Sequence, residues 1–123
     1  MKGVILREPG ALIVAGDLPE PPPPGPGEAL LAVRRIGLCG TDLHAFHGRQ
    51  PFFSYPRILG HELAVEVLDV GTGVTNVRAG DLCAVRPYLA CGACDACERG
   101  IVNACERLAT LGVHTDGGMR ERV

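Results

Sequence analysis

The sequence predicts a turn-rich β domain, and three observations support this. Among its 123 residues are 17 Gly and 10 Pro, which supply many turns. Short apolar runs rich in Val lie between these turns, a pattern typical of strands. Hydrophobic residues make up 46% of the chain, so the Gly and Pro content does not indicate disorder. The length is that of a single domain with one core.

Five strands are expected in chain order, and the Val-rich run at 64–70 is the clearest of them. Its partial alternation puts Val65 and Val67 on one face of the strand. The Pro-rich residues 19–27 lack the backbone donors of a ladder or helix, so we expect an extended connector there, with a ligand for proline-binding modules as the alternative. Turns are expected at 71–74 and 79–81. The five predicted strands are 4–6, 11–14, 29–33, 64–70 and 82–85.

One short helix of about two turns is predicted over residues 41–47. Thr41 or Asp42 is the expected cap, since both side chains accept hydrogen bonds from free helical N–H groups. Leu43, Phe46 and His47 would share one face of this helix.

The charge balance restricts the class of partner. The chain has 12 Lys and Arg against 14 Asp and Glu, a net charge of −2, without a run of like charges. Binding to nucleic acid or to an anionic membrane needs a clustered basic surface, so we expect neither partner. Charge and Pro9 interrupt the start of the chain before any apolar stretch of signal length, and we expect a cytoplasmic protein. In that reducing compartment the six cysteines would be metal ligands or core residues, not disulfides.

Four cysteines form the strongest motif: Cys91, Cys94, Cys97 and Cys105. Two-residue gaps allow neighbouring thiolates to face one centre, and four thiolates complete a tetrahedral shell suited to Zn²⁺. Such a shell has no open position, so the zinc would be structural. An iron–sulfur cluster is the alternative, although its usual bacterial spacing places the fourth Cys after three residues and before Pro. Four unligated thiols are a further alternative.

A second candidate pair lies upstream, Cys39 and His61. A lone Cys is usually a small core residue and a lone His a satisfied polar residue, so these two residues alone leave metal ligation open. Cys83 is expected in the core, Asp42 as a cap or salt-bridge partner, and His47 and His114 on the surface.

Several motifs together resemble the zinc-dependent alcohol and polyol dehydrogenases of the medium-chain superfamily, over residues 3–118. They are Cys39-Gly40-Thr41-Asp42-x-His44, Gly60-His61-Glu62, Gly71, Gly80-Asp81 and the four cysteines. The resemblance implies that residues 1–123 form a GroES-like catalytic domain, a partly open β-barrel with a short helix and a Cys₄ zinc lobe, without the Rossmann nucleotide-binding domain. Val65 departs from the family, which usually has Gly there, and a slightly altered strand start is expected.

The resemblance also implies residue roles. Cys39 and His61 would hold a catalytic zinc, with Glu62 as an occasional ligand or supporting carboxylate and a further ligand taken from beyond position 123. Thr41 would accept the alcohol proton and pass it to His44, while hydride leaves for NAD or NADP. The simpler alternatives are a helix cap for Thr41 and an exposed helix residue for His44.

Two functions of different class follow. The first is the catalytic part of a zinc-dependent NAD(P) oxidoreductase that oxidises a secondary alcohol, polyol or sugar acid, with the full enzyme a homo-oligomer. The sequence contains no G-x-G-x-x-G, so residues 1–123 are expected to bind no NAD(H) and to be inactive alone. The alternative is a stand-alone zinc-stabilised β-barrel that binds a ligand without catalysis.

Overall fold

The structure, a computed structural model, describes all 123 residues and is mainly β, as predicted. No helix has the length and apolar character that crossing a bilayer requires. The strands are β1 (Gly3–Glu8), β2 (Ala11–Ala15), β3 (Ala29–Gly37), β4 (Arg57–Ile58), β5 (Glu62–Val70), β6 (Leu82–Ala84), β7 (Tyr88–Leu89) and β8 (Ala109–Thr110). The helices are α1 (Gly40–Phe46) and α2 (Asp95–Glu98), and a 3₁₀ turn covers Val102–Ala104.

The strands form two three-stranded antiparallel sheets and one two-stranded sheet. Their orders are β2-β1-β4, β3-β5-β6 and β7-β8. Residues 119–123 join the two larger sheets, because the Val4 N–H donates to the Met119 carbonyl at 2.7 Å while the Val33 N–H donates to the Glu121 carbonyl at 2.9 Å. The result is a barrel that is closed on one side only, which confirms the predicted partly open architecture.

The core lies beneath β5 and α1. Val65 and Val67 are 2% and 1% exposed, which confirms the predicted face of β5. A second buried cluster contains Leu6, Ala45 and Leu59. Each such aliphatic side chain contributes about 1.5–3 kcal/mol on burial, so these positions carry much of the stability.

All five predicted strands are present, with bounds that differ by a few residues. The three strands that were not predicted are β4, β7 and β8, each of two residues, which is too short for any periodicity. Val65 pairs with Val33 and Cys83, β5 begins at Glu62, and the register with β3 shifts between Val33 and Arg35. Cys83 is half-buried on β6, so its expected place in the core is wrong.

One expectation for the helix, the identity of its cap, is wrong. The N-cap is Cys39, whose Sγ accepts the Thr41 N–H, so the cap lies two residues before Thr41. The buried residues of α1 are Asp42 and Ala45, while Leu43 is 59% exposed. A polar side chain faces inward because Asp42 has buried partners there, which hydrophobic periodicity cannot reveal.

Residues 117–118 cross the chain at residues 58–60, just before β5, and glycines at this crossing fix the position of both segments. The Gly117 N–H donates to the Ile58 carbonyl at 2.7 Å, and the Gly118 N–H donates to the Gly60 carbonyl at 2.8 Å. A Cβ on Gly117 would overlap the Gly60 carbonyl, so only glycine allows the two segments to approach this closely. The position of His61, which follows Gly60, depends on this crossing.

The Pro-rich connector has neither helix nor strand over residues 19–27, in agreement with the prediction. Its end is tied to the turn after β5: the Gly27 N–H donates to the Thr72 carbonyl at 2.9 Å and the Gly71 N–H donates to the Glu28 carbonyl at 2.8 Å. The end of the connector is therefore held against the turn that follows β5.

Candidate metal sites

The first candidate site joins the start of α1 to the start of β5. The Cys39 Sγ lies 3.0 Å from the His61 Nε2. Cys39 has extended backbone angles, φ −113° and ψ 175°, as an N-cap residue requires. Its Sγ also accepts the Thr41 N–H at 3.3 Å, so the cap and the candidate ligand are the same atom.

Asp42 lies behind this pair and is 4% exposed. One carboxylate oxygen accepts the Cys39 N–H at 3.1 Å, and the other accepts the Gly60 N–H at 3.4 Å and lies 3.7 Å from the His61 Nδ1. Asp42 therefore has both predicted roles, because it accepts a free N–H at the start of α1 and lies beside His61 as a possible ion-pair partner. The buried Nδ1 of His61 has no closer partner, and a carboxylate beside it favours a proton on Nδ1 and a free lone pair on Nε2.

The donor set of this site fits zinc. Ligand atoms of Cys39, Asp42 and His61 all lie within 4.8 Å of one another. A thiolate and an imidazole Nε2 are ligands that Zn²⁺ prefers, and a carboxylate behind the imidazole is the usual supporting group. Glu62 is exposed and lies outside this group, with its side chain against Gly37.

The predicted proton-relay residues both lie on α1. Thr41 is half-buried and adjoins the site through its bond to Cys39, while His44 is exposed. Residues three apart on a helix share a face, so His44 lies about one turn further along the face of Thr41. The two residues span from the Cys39 site towards solvent.

An open groove of about 660 Å³ has His61 and Glu62 in its wall. This volume is in the range of small-molecule sites. Arg35 and Tyr88 also line it. The groove therefore gives a small molecule access to the first candidate site.

The second candidate site is the cysteine lobe, which we define as residues 91–108. The four sulfur atoms lie within 4.8 Å of one another, and those of Cys91 and Cys97 are 3.9 Å apart. Four thiolates about 2.3 Å from a tetrahedral zinc are separated by about 3.8 Å, so the spacing fits a zinc ion. Cys94 and Cys105 are each 7% exposed, and α2 and the 3₁₀ turn carry the chain between them.

Backbone amides face the thiols of the lobe. The Cys105 Sγ accepts the Cys91 N–H at 3.3 Å. The backbone N–H of Ala93 hydrogen bonds to the Cys91 thiol and is the main reason that its pKa is lowered to about 6. Burial raises the pKa of Cys97 to about 11. The lobe therefore favours the thiolate form at Cys91 and the protonated thiol at Cys97.

Sequence reasoning did not single out Arg107, whose pKa is raised by the neighbouring Cys91 thiol. Its position two residues after the last cysteine was the only sequence signal. The remaining histidines are exposed, as expected: His47 ends α1, and the His114 Nδ1 accepts the Thr110 N–H at 3.0 Å.

Comparison with known proteins places this geometry in one family. Residues 25–123 match the alcohol dehydrogenase GroES-like domain. The L-galactonate-5-dehydrogenase of Escherichia coli K12 is 49% identical over 102 residues, which cover 83% of this chain and 30% of that protein. The L-threonine 3-dehydrogenase of Pyrococcus horikoshii is 41% identical over 115 residues, covering 91% and 32%.

Solved structures agree with this match. Galactitol-1-phosphate dehydrogenase from E. coli superposes with a TM-score of 0.90 at 32% identity, covering 100% of this chain and 35% of that one. An alcohol dehydrogenase from E. coli CFT073 complexed with NADH gives 0.86 at 39% identity, covering 100% and 35%. The chain spans about a third of the length of these relatives. It belongs to the alcohol dehydrogenase GroES-like domain family, within the zinc-type medium-chain dehydrogenases.

Proposed function

We propose that residues 1–123 form the catalytic domain of a zinc-dependent oxidoreductase that oxidises a secondary alcohol, polyol or sugar acid. The observation that carries the proposal is the 3.0 Å approach of the Cys39 Sγ to the His61 Nε2. Buried Asp42 supports both residues, and an open groove leads to His61. This combination provides a metal site with space for substrate beside it.

In the proposed reaction the substrate carbinol loses a hydroxyl proton and a hydride and becomes a carbonyl. Zinc held by Cys39 and His61 would act as a Lewis acid that lowers the proton affinity of the substrate oxygen. The Thr41 hydroxyl accepts the proton, and His44 carries it to solvent. The hydride reduces NAD⁺ or NADP⁺ to NADH or NADPH, held by a nucleotide-binding domain outside residues 1–123.

The substrate class is proposed from chemistry and from similarity. The named relatives act on L-galactonate, L-threonine and galactitol 1-phosphate according to their names, and each of these molecules has a secondary hydroxyl group. Glu62 and Arg35 in the groove wall offer an acceptor and a donor to further hydroxyl or acidic groups. We propose that the substrate is a polyhydroxylated or acid-bearing alcohol.

The cysteine lobe is proposed to hold the structural zinc. Its four sulfurs have the spacing of a closed tetrahedral shell, which leaves no position for substrate. A cytoplasmic location is also proposed, supported by six cysteines without a disulfide. We propose a homo-oligomer for the full enzyme, and neither nucleic acid nor membrane as a partner, in keeping with the net charge of −2. A non-catalytic binding module would have no chemical need for Cys39, His61 and Thr41 together.

A chimera tests the proposed function. Residues 1–123 replace the equivalent segment of the E. coli galactitol-1-phosphate dehydrogenase, which shares this fold at a TM-score of 0.90. The zinc-loaded chimera is expected to form NADH when supplied with NAD⁺ and a panel of polyols and sugar acids. A folded, zinc-loaded chimera that forms none would contradict the proposal.

Two variants of the chimera separate the residue roles. Thr41→Val removes the proton-accepting hydroxyl and is expected to lower kcat by about 100-fold or more, since a positioned acid–base group contributes that much. His47→Gln, an exposed helix-end residue outside the proposed relay, is the matched control and is expected to leave kcat unchanged.

A further inference from the structure

Arg35 is an arginine in the wall of the groove beside His61 that has no carboxylate partner. Its Nη1 donates to the Arg34 carbonyl at 2.7 Å, and none of the ion pairs of the chain includes it. Arg34 differs, because its Nη2 donates to the Glu66 carboxylate at 2.6 Å and its side chain does not line this groove. The remaining guanidinium N–H groups of Arg35 are therefore available to bind an anion.

The register of β3, β5 and β6 places the Arg35 side chain on a row of small residues. Arg35 pairs with Ala64, and Ala64 pairs with Ala84 on its other side, so the three residues form one row across the sheet. All three are exposed, and all three line the groove. The short alanine side chains leave room above the sheet for a ligand beside the arginine.

Glu62, the carboxylate of this groove, occupies a different row. It pairs with Gly37, and its carboxylate lies close to where a Cβ of Gly37 would stand. Gly37 is two residues from Arg35 along β3, a distance of about 6.6 Å, and His61 is three residues before Ala64, about 10 Å along the chain. The groove therefore has an imidazole and a carboxylate towards one end and a cation towards the other.

The surroundings of Arg35 add positive charge at that end. Arg35 also lines a neighbouring groove, whose wall contains Lys2, Arg120 and a single carboxylate, that of Glu121. Neither the Lys2 nor the Arg120 side chain forms an ion pair, and the buried Nε of Arg120 has no hydrogen-bond partner. In a chain with a net charge of −2, this local excess of cations attracts an anion.

We propose that Arg35 is a specificity-determining residue, whose guanidinium binds a carboxylate or phosphate group of the substrate while the reacting carbinol lies at His61. This inference rests on the proposed function and names the part of the substrate that the groove selects. Guanidinium N–H groups bind carboxylate and phosphate oxygens through strong, charge-assisted hydrogen bonds, often two at a time. An uncharged polyol of the same length lacks this contact, so substrates with an anionic end are preferred.

The zinc-loaded chimera that tests the proposed function also tests this inference. L-Galactonate and galactitol form a matched pair of substrates, because the first has a carboxylate where the second has a hydroxymethyl group. Arg35→Gln is expected to lower kcat/KM for L-galactonate by about 10- to 100-fold, mainly through a higher KM, since it removes a hydrogen bond to a charged group. The kcat/KM for galactitol is expected to change by less than about twofold.

Two further variants separate the charge of Arg35 from general effects on the sheet. Arg34→Gln is the matched control, because it removes the adjacent arginine, which pairs with Glu66. It is expected to leave the ratio of kcat/KM for L-galactonate and galactitol unchanged. Arg35→Glu places a negative charge in the groove and is expected to lower kcat/KM for L-galactonate below that of Arg35→Gln. If one Arg35 variant does not fold, the other is compared with the control.

Galactitol 1-phosphate separates the two anions. A loss of kcat/KM in Arg35→Gln for L-galactonate alone assigns a carboxylate to Arg35, and a loss for galactitol 1-phosphate alone assigns a phosphate. Equal losses for both substrates, with galactitol unaffected, assign either anion to this arginine. Each of these three results supports the inference.

NMR of zinc-loaded, ¹⁵N-labelled residues 1–123 supplies a measurement that does not depend on activity. The Nε–H signal of Arg35 is expected to shift when L-galactonate or galactitol 1-phosphate is added and to stay in place with galactitol. The Nε–H signal of Arg34, which donates to Glu66, is the internal reference and is expected to stay in place with all three compounds.

Three results would overturn the inference: equal kcat/KM losses for the anionic substrates and galactitol, the same losses in Arg34→Gln, or an Arg35 signal that neither anion shifts. If the wild-type chimera forms no NADH with any of these substrates, the proposed function fails and this inference with it. If the chimera is active and Arg35→Gln uses the anionic substrates as well as the wild type does, only the inference fails.

Discussion

The His61 Nε2 lies 3.0 Å from the Cys39 Sγ, although 22 positions separate these residues in the sequence. Cys39 precedes a helix and His61 precedes a strand, so neither element alone brings them together. Asp42 connects the two by accepting the N–H groups of Cys39 and Gly60. The candidate catalytic site therefore depends on one buried carboxylate.

Asp42→Asn is expected to weaken both the fold and the metal site. Asp42 accepts two backbone N–H groups, and an amide nitrogen in place of one carboxylate oxygen would face a donor with a donor. Leaving such a buried group unsatisfied costs about 1–3 kcal/mol of unfolding free energy. Zinc affinity at Cys39 and His61 is expected to fall about 10- to 100-fold.

Urea unfolding and competitive zinc titration measure these two effects. Asp95→Asn is the control, because Asp95 is 76% exposed in its pair with Arg99, and its change is expected within about 0.5 kcal/mol. Equal effects of the two substitutions would contradict the role given to Asp42.

Gly117→Ala is expected to destabilise the domain by about 1–3 kcal/mol or more, because its Cβ would overlap the carbonyls of Leu59 and Gly60. Gly16→Ala is the matched control, with nothing within 4 Å of its Cβ and no left-handed φ. That change is expected to be neutral or to stabilise by about 0.4–1 kcal/mol. Thermal unfolding of both variants compares their stabilities directly. A Gly117→Ala protein as stable as the wild type would contradict the close approach of Gly117 to Gly60.

The strands and the cysteine lobe could be predicted from the sequence because their determinants are local. Alternation at Val65 and Val67 sets the face of β5, and the spacing from Cys91 to Cys105 sets the lobe. The inward orientation of Asp42 could not be predicted from residues alone, since it depends on donors from two distant segments.

Long-range contacts explain the other features that the sequence did not predict. β4 exists because it pairs with β1, and its two residues have no pattern of their own. The sequence did not predict the cap at Cys39 because a thiol is an unusual capping group. The nearby His61 gives the reason for a Cys at this position, since the two side chains form the candidate metal site.

Substitutions of the two cysteine sets are expected to differ in effect. Dialysed protein should retain about one zinc per chain, rising towards two when zinc is added, because the closed Cys₄ shell has more ligands than the Cys39 and His61 site. Cys39→Ser should leave the retained zinc and the Tm nearly unchanged, whereas Cys97→Ser should lose the zinc and unfold the lobe. Metal analysis with thermal unfolding measures both, and two equally tight zincs would contradict the unequal sites.

In the metal-free lobe the thiols of Cys91 and Cys97 are expected to lose their protons at different pH values. The pKa of Cys91 is about 6, below its ordinary 9.0, so its contribution to stability is present above pH 9 and is lost as the pH falls through 6. The pKa of Cys97 is about 11, so its contribution is present below pH 9 and is lost as the pH rises through 11.

Alkylation of metal-free protein across pH, followed by peptide mass spectrometry, measures both thiols. Cys91 should react with a midpoint near pH 6, while Cys97 stays protected at neutral pH, because the thiolate is the nucleophile. A common midpoint near the ordinary thiol value for both residues would show that the metal-free lobe does not keep this arrangement.

Zinc-edge anomalous diffraction from a crystal grown with zinc tests the two-site account most directly. One peak is expected about 2.3 Å from the sulfurs of Cys91, Cys94, Cys97 and Cys105, and a second between the Cys39 Sγ and the His61 Nε2. Absence of the second peak at saturating zinc would contradict the proposed catalytic site, and absence of the first would contradict the structural one.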